Sequence, residues 1–136
     1  MAAIVISSDS VQPTDSTEFE VVTAGESIIA GKAVYLDSSD AGTAKRAGAD
    51  VTQNANVVGI SMCVSADGQP LVIATGGEVN IGGTVVPGVP YFLGGSLGTL
   101  VPEGDVLQDW KMTRIGIATT TTNILIDIDP SDTQLA

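Results

Sequence analysis

The sequence predicts an all-β protein, a single-domain sandwich or small barrel built from two similar halves. Three observations predict it. Short runs rich in Val, Ile, Thr, Tyr and Phe recur between clusters of Gly, Pro, Asn, Asp and Ser, which is how strands and turns alternate. No window of 11 or more residues carries a 3.6-residue apolar period, and 16 glycines would weaken any helix by about 1 kcal/mol each relative to Ala. A 12-residue segment also repeats itself at an offset of 57 residues.

Taken in chain order, strands are expected at 3–7, 18–23, 32–37, 43–47, 57–65 and 70–75, then at 77–81, 90–94, 98–101, 111–118 and 123–129. The first is the apolar Ile4-Val5-Ile6, followed by a polar stretch to Thr17 that reads as an arm. Glu18-Phe19-Glu20 alternates as a half-solvated strand should. The next two strands flank a turn of Asp, Ser and Gly over 37–42. Residues 70–75 and 77–81 are apolar runs separated at Gly76-Gly77, which reads as a hairpin turn, as does Gly94-Gly95. The best helical segment is one turn at 106–110, ending on Trp110, the only tryptophan.

The repeat sets GESIIAGKAVYL (25–36) on GGTVVPGVPYFL (82–93) without gaps. Val58-Gly59-Ile60 falls on Ile115-Gly116-Ile117 at the same offset. Gly42-Thr43 answers Gly98-Thr99 after a slip of one residue, and the apolar strand from Leu71 to Thr75 answers the one from Asn123 to Asp127 with a shifted offset. One copy offers four or five short strands with open edges and little core. Two copies packed together bury both apolar faces. The expected organisation is an arm over 1–17, halves over 18–75 and 76–129, and a tail over 130–136.

Composition excludes several function classes. In 136 residues there are 5 Lys and Arg against 16 Asp and Glu, a formal charge of −11, with no His and one Cys. Histidine-based catalysis and Cys/His zinc sites are impossible, and one cysteine forms no intrachain disulfide. Clustered cations to neutralise phosphates are missing, so nucleic acid is not an expected partner. No apolar run of ~18 residues suggests a membrane span, and the opening lacks a signal-peptide pattern, so synthesis in the cytoplasm is expected. The acid is uneven: residues 51–102 carry only Asp67 and Glu78 and no cation, so this middle must be buried in its own core or against another chain.

Candidate chemical groups are weak. Asp127 and Asp129, like Glu18 and Glu20, alternate along one strand and point the same way, towards solvent; a glycosidase needs carboxylates facing across a cleft. Asp37 to Gly42 resembles a calcium loop only in part, since its EF-hand positions 3, 5 and 12 would be Ser39, Ala41 and Gly48. Neither glycine pair continues into the Lys-Ser/Thr of a P-loop. Lys45-Arg46 is expected to form ion pairs. Cys63 has no basic neighbour and reads as buried and inert. No catalytic residue, metal or cofactor is expected, and function should lie in surfaces.

The glycine motif before Val34-Tyr35-Leu36, Val57-Val58-Gly59-Ile60, the run GQPLVIATGG (68–77) followed by EVNIGG (78–83), Pro90-Tyr91-Phe92-Leu93 and the closing Ile115-Gly116-Ile117-Ala118 with Ile124 to Asp127 together form a pattern. It resembles the small head decoration, or capsid cement, proteins of tailed bacteriophages over roughly residues 21–129. The resemblance implies a β-rich homotrimer on the outer capsid surface of the virion, bridging subunits of the major capsid protein against the pressure of packaged DNA. On that reading Ile4, Val5, Ile6, Val11, Phe19 and Trp110 are the expected capsid or protomer contacts. A phage tail-fibre or head-fibre module, gripping a receptor or carbohydrate, is the alternative.

Overall fold

The computed structural model describes residues 11–48, 56–94, 97–102 and 111–134, the last including strand ends whose side chains are outside the description. The strands are β1 (Val11–Pro13), β2 (Glu18–Thr23), β3 (Ala33–Asp37), β4 (Thr43–Arg46), β5 (Gly59–Ser61), β6 (Pro70–Ile81), β7 (Pro90–Leu93), β8 (Leu100–Pro102), β9 (Lys111–Ala118) and β10 (Asn123–Gln134). Among the described residues the only helical element is a 3-10 turn, Ser38–Asp40. The protein is all-β, one curled antiparallel sheet in the order β4-β3-β5-β6-β10-β9-β7-β8, with β1 and β2 paired along β6.

The register makes the duplication physical. In the first half Ala33 faces Ile60 and Val34 faces Gly59; in the second Pro90 faces Ile117 and Tyr91 faces Gly116, each residue displaced by 57. The hairpin β3–β4 corresponds to β7–β8, with Leu36 opposite Ala44 and Leu93 opposite Leu100. Turns repeat too. The Gly31 N–H donates to the Ser61 carbonyl and the Gly88 N–H to the Ala118 carbonyl, both at 2.8 Å. Gly31 and Gly88 have φ of 90° and 83°, a backbone region that costs other L-residues about 1–2 kcal/mol. Each half runs β2-β3-β4-β5 and the first part of β6, or the last part of β6 and β7-β8-β9-β10.

β6 therefore serves both halves, and here the structure departs from the expected hairpin at Gly76-Gly77. The chain does not reverse. β6 continues for 12 residues through a bulge, Glu18 pairing with Gly76 and Phe19 with Ala74. Gly77 takes φ 77°, and a Cβ there would run into the Ser16 carbonyl of the turn between β1 and β2. That turn is fastened by the Thr14 and Thr17 hydroxyls, which donate to the Glu78 carbonyl at 2.6 and 2.7 Å.

The ends differ from expectation as well. Val11 to Pro13, read as part of an arm, is a strand on Ile81, Asn80 and Val79. Residues 130–134, read as a tail, extend β10, with Pro130 opposite Thr113 and Gln134 opposite Lys111. The expected strand at 57–65 shrinks to three residues, and the one at 98–101 begins at Leu100. The strand expected at 3–7, the helical turn at 106–110 and Gly95 lie outside the described residues.

The interiors of the two halves correspond. Ala24, Ile28, Val34, Ala44, Leu71 and Ile73 form the buried cluster of the first half. By the repeat Ala24, Ile28, Val34 and Ala44 correspond to Ile81, Val85, Tyr91 and Leu100, and by their pairing with the preceding strand Leu71 and Ile73 correspond to Ile124 and Ile126, all in the larger second cluster. That cluster also takes in Ala33, Ile60 and Ala74, so the outer side of the first half is the floor on which the second packs. The halves share one core and form a single domain.

Candidate functional site

Electrostatics separate the halves. In the β3–β4 hairpin the Lys45 ammonium lies 2.9 Å from Asp37 and 3.2 Å from Asp40, and the Arg46 guanidinium lies 3.1 Å from Glu26. Hydrogen bonds from the Ser39 hydroxyl, from Lys45 and from the Ser39 N–H hold the Asp37 carboxyl down at about 2. Asp37 and Asp40 in turn raise the Lys45 ammonium above its usual range. Partial burial pushes the Glu26 carboxyl up, but hydrogen bonds from the Arg46 N–H and guanidinium outweigh it and leave it below the ordinary value. The loop compared with a calcium site thus directs two of its carboxylates at Lys45. Lys45 and Arg46 do form ion pairs, as expected.

In the second half Arg114 reaches Asp127 at 2.9 Å, on an exposed strand face. Asp127 and Glu18 are solvated, in keeping with carboxylates that share one strand face; the Asp129 side chain is outside the description. Among the described residues no three or more His, Cys, Asp and Glu side chains gather closely enough to hold a metal ion. Cys63 is half-buried rather than buried. It packs beside the first cluster, and its Sγ accepts from the Val72 N–H at 3.5 Å.

A different feature emerges on the outside of the first half. Phe19 and Val21 are 50% and 67% exposed, both on β2 and, being alternate residues, on one face. They stand opposite Ala74 and Val72 of β6. The Met62 N–H donates to the Val72 carbonyl at 2.8 Å, which extends the row. Near β6 this face is buried under the second half. Towards β2 it emerges as an exposed apolar pair, Phe19 and Val21, beside half-buried Val72.

No family model and no curated protein matches the chain.

Of the expected contact residues, Phe19 lies in this pair. Val11 is 8% exposed and paired with Ile81, so the chain's own core occupies its side chain. Ile4, Val5, Ile6 and Trp110 lie outside the described residues. Sequence reasoning passed over Val21 and Val72. Val21-Val22 is a uniform apolar pair, and only the register shows that Val22 turns to the core while Val21 does not.

Proposed function

We propose that this chain is a structural virion protein that decorates the outer surface of a phage capsid as a homotrimer, bridging subunits of the major capsid protein. The observation that carries the reading is the exposed pair Phe19 and Val21, beside half-buried Val72, on one face of a β scaffold with a filled core. A part that works by docking needs a rigid body and apolar surface left over once its own core is filled. Its charge supports the same reading. Lys45, Arg46 and Arg114 are tied to carboxylates of the same chain, so the surplus acid is left to meet a basic partner or to keep free protein soluble.

Expanded capsids lacking the protein, prepared from the phage that encodes it, provide the test. The protein is expected to sediment with them and to raise their disruption temperature; protein left in the supernatant overturns the proposal. Light scattering checks the trimer, since a monomer of 13.7 kDa at high concentration contradicts it. Binding to host-cell glycans with no binding to capsids would transfer the reading to a fibre module.

A further inference from the structure

The repeat exposes an asymmetry at one strand edge. Residues 79–81 of β6 are the 57-residue counterparts of 22–24 at the end of β2. Val79 and Asn80 are paired on both sides, by Ile124 and Asn123 of β10 and by Pro13 and Gln12 of β1. Among the described residues β2 is paired along its length by β6 alone; just past its end Ala24 meets Ala44 of β4 in a parallel bridge, where the Gly25 N–H donates to the Ala44 carbonyl at 2.8 Å. Among the described residues nothing pairs with the outer edge of β2 over Glu18–Thr23. The place that β1 fills in the second half is taken in the first only at Ala24, by Ala44, and stands open at Val22 and Thr23 and along Glu18 to Val21 before them.

We infer that the open edge of β2 accepts an extended segment of a partner protein, added as a further strand, in which basic and apolar residues alternate. The alternation follows from β2 itself. Phe19 and Val21 lie on one face and Glu18 and Glu20 on the other, and a strand added beside β2 faces both rows with the same period of two. Opposite Phe19 and Val21 it meets exposed apolar surface. Opposite Glu18 and Glu20 it meets carboxylates that no Lys or Arg approaches within ion-pair range among the described residues. Cross-strand pairs of opposite charge and of apolar side chains both stabilise a ladder.

The same carboxylates argue against a second copy on this edge. β2 against β2 would bring Glu18 and Glu20 of each chain together, and charged residues on an open edge are a known bar to self-pairing. The occupant is therefore a chain of opposite charge. The inference concerns how a partner is gripped and stands apart from whether that partner is a capsid subunit.

The test uses the full chain, isotope-labelled for NMR, with two synthetic peptides. One is acetyl-Lys-Val-Lys-Val-Lys-Thr-amide; the other has Glu in place of each Lys. The basic peptide is expected to shift and protect the amides of 18–23, while the acidic one does not. The double variant Glu18→Gln, Glu20→Gln should weaken binding about tenfold with an unchanged melting temperature, because exposed pairs contribute to recognition more than to folding. Phe19→Ser with Val21→Ser should weaken it comparably. Equal binding of both peptides overturns the inference, as does the absence of any shift at 18–23. Protection of 18–23 that grows with protein concentration in the absence of peptide would assign the edge to a second copy and overturn it too. Because no capsid is present, the result is independent of the sedimentation experiment.

Discussion

The two halves of this protein share a strand order and a register yet are stabilised in different ways, and the difference traces to a few interior positions. The first half carries Ala24 and Ala44 where the second carries Ile81 and Leu100. Two methyl groups let the ends of β2 and β4 meet, so the first half closes on itself. Two large side chains hold the equivalent strand ends apart, and among the described residues no bridge joins them. The second half takes in β1 instead and fills its centre with Tyr91, whose hydroxyl accepts from the Val86 N–H at 3.0 Å. The first half adds ion pairs on its hairpin; at the matching positions the second has Gly94, Val101 and Pro102, with Val101 buried. A duplicated unit can thus diverge into a closed, charged half with an exposed apolar pair outside and a more open, apolar half that supplies the core.

The largest effects should come from the interiors. Leu71→Ala and Ile124→Ala remove equivalent, fully buried side chains and should each cost about 2–5 kcal/mol in chemical denaturation. If the halves share one core, both variants unfold in a single transition. Two separate transitions for either would break the single-domain account.

Exchanging the interiors sharpens the comparison. Ala24→Ile places the second half's residue in the first, and overpacking of this kind costs about 1–3 kcal/mol. The Gly25 amide, which donates to Ala44, should then exchange with solvent much faster while the Gly88 amide does not. Equal acceleration at both would show that closure of the first half does not depend on the small residue.

Smaller effects are expected at the paired turns. Gly31→Ala and Gly88→Ala force a side chain into a left-handed backbone and should each lower stability by about 1–2 kcal/mol. Markedly unequal losses would mean that the turns are not equivalent. The smallest effect is the pH dependence of the charged hairpin. The Asp37 carboxyl, held at about 2 rather than near the usual ~3.9, contributes stability that is complete above ~pH 4 and is lost as pH falls towards 2. NMR titration should place its midpoint there, and Asp37→Asn should remove that part of the acid sensitivity. The second half has no counterpart.

Much of the fold was legible because its signals are local. β-Branched runs between glycines located most strands, and the gap-free repeat located the halves. Gly76-Gly77 misled for a physical reason: a glycine pair between apolar runs serves a reversal or a bulge equally well, and the choice was made by the Ser16 carbonyl, 61 residues from Gly77 in sequence. β1 was missed because three residues ending in Pro13 carry no strand pattern until Ile81 lies beside them. The candidate surface was legible at Phe19 alone, since the exposure of Val21 and the partial exposure of Val72 depend on which strands cover them.

In the proposed function the first half docks and the second half supports it. Hydrogen exchange of the chain free and bound to expanded capsids tests it most directly. New protection is expected in 18–23, 62–64 and 70–74, with residues 78–82 and 123–127 unchanged. Protection confined to the second half, or spread evenly over both, would contradict it.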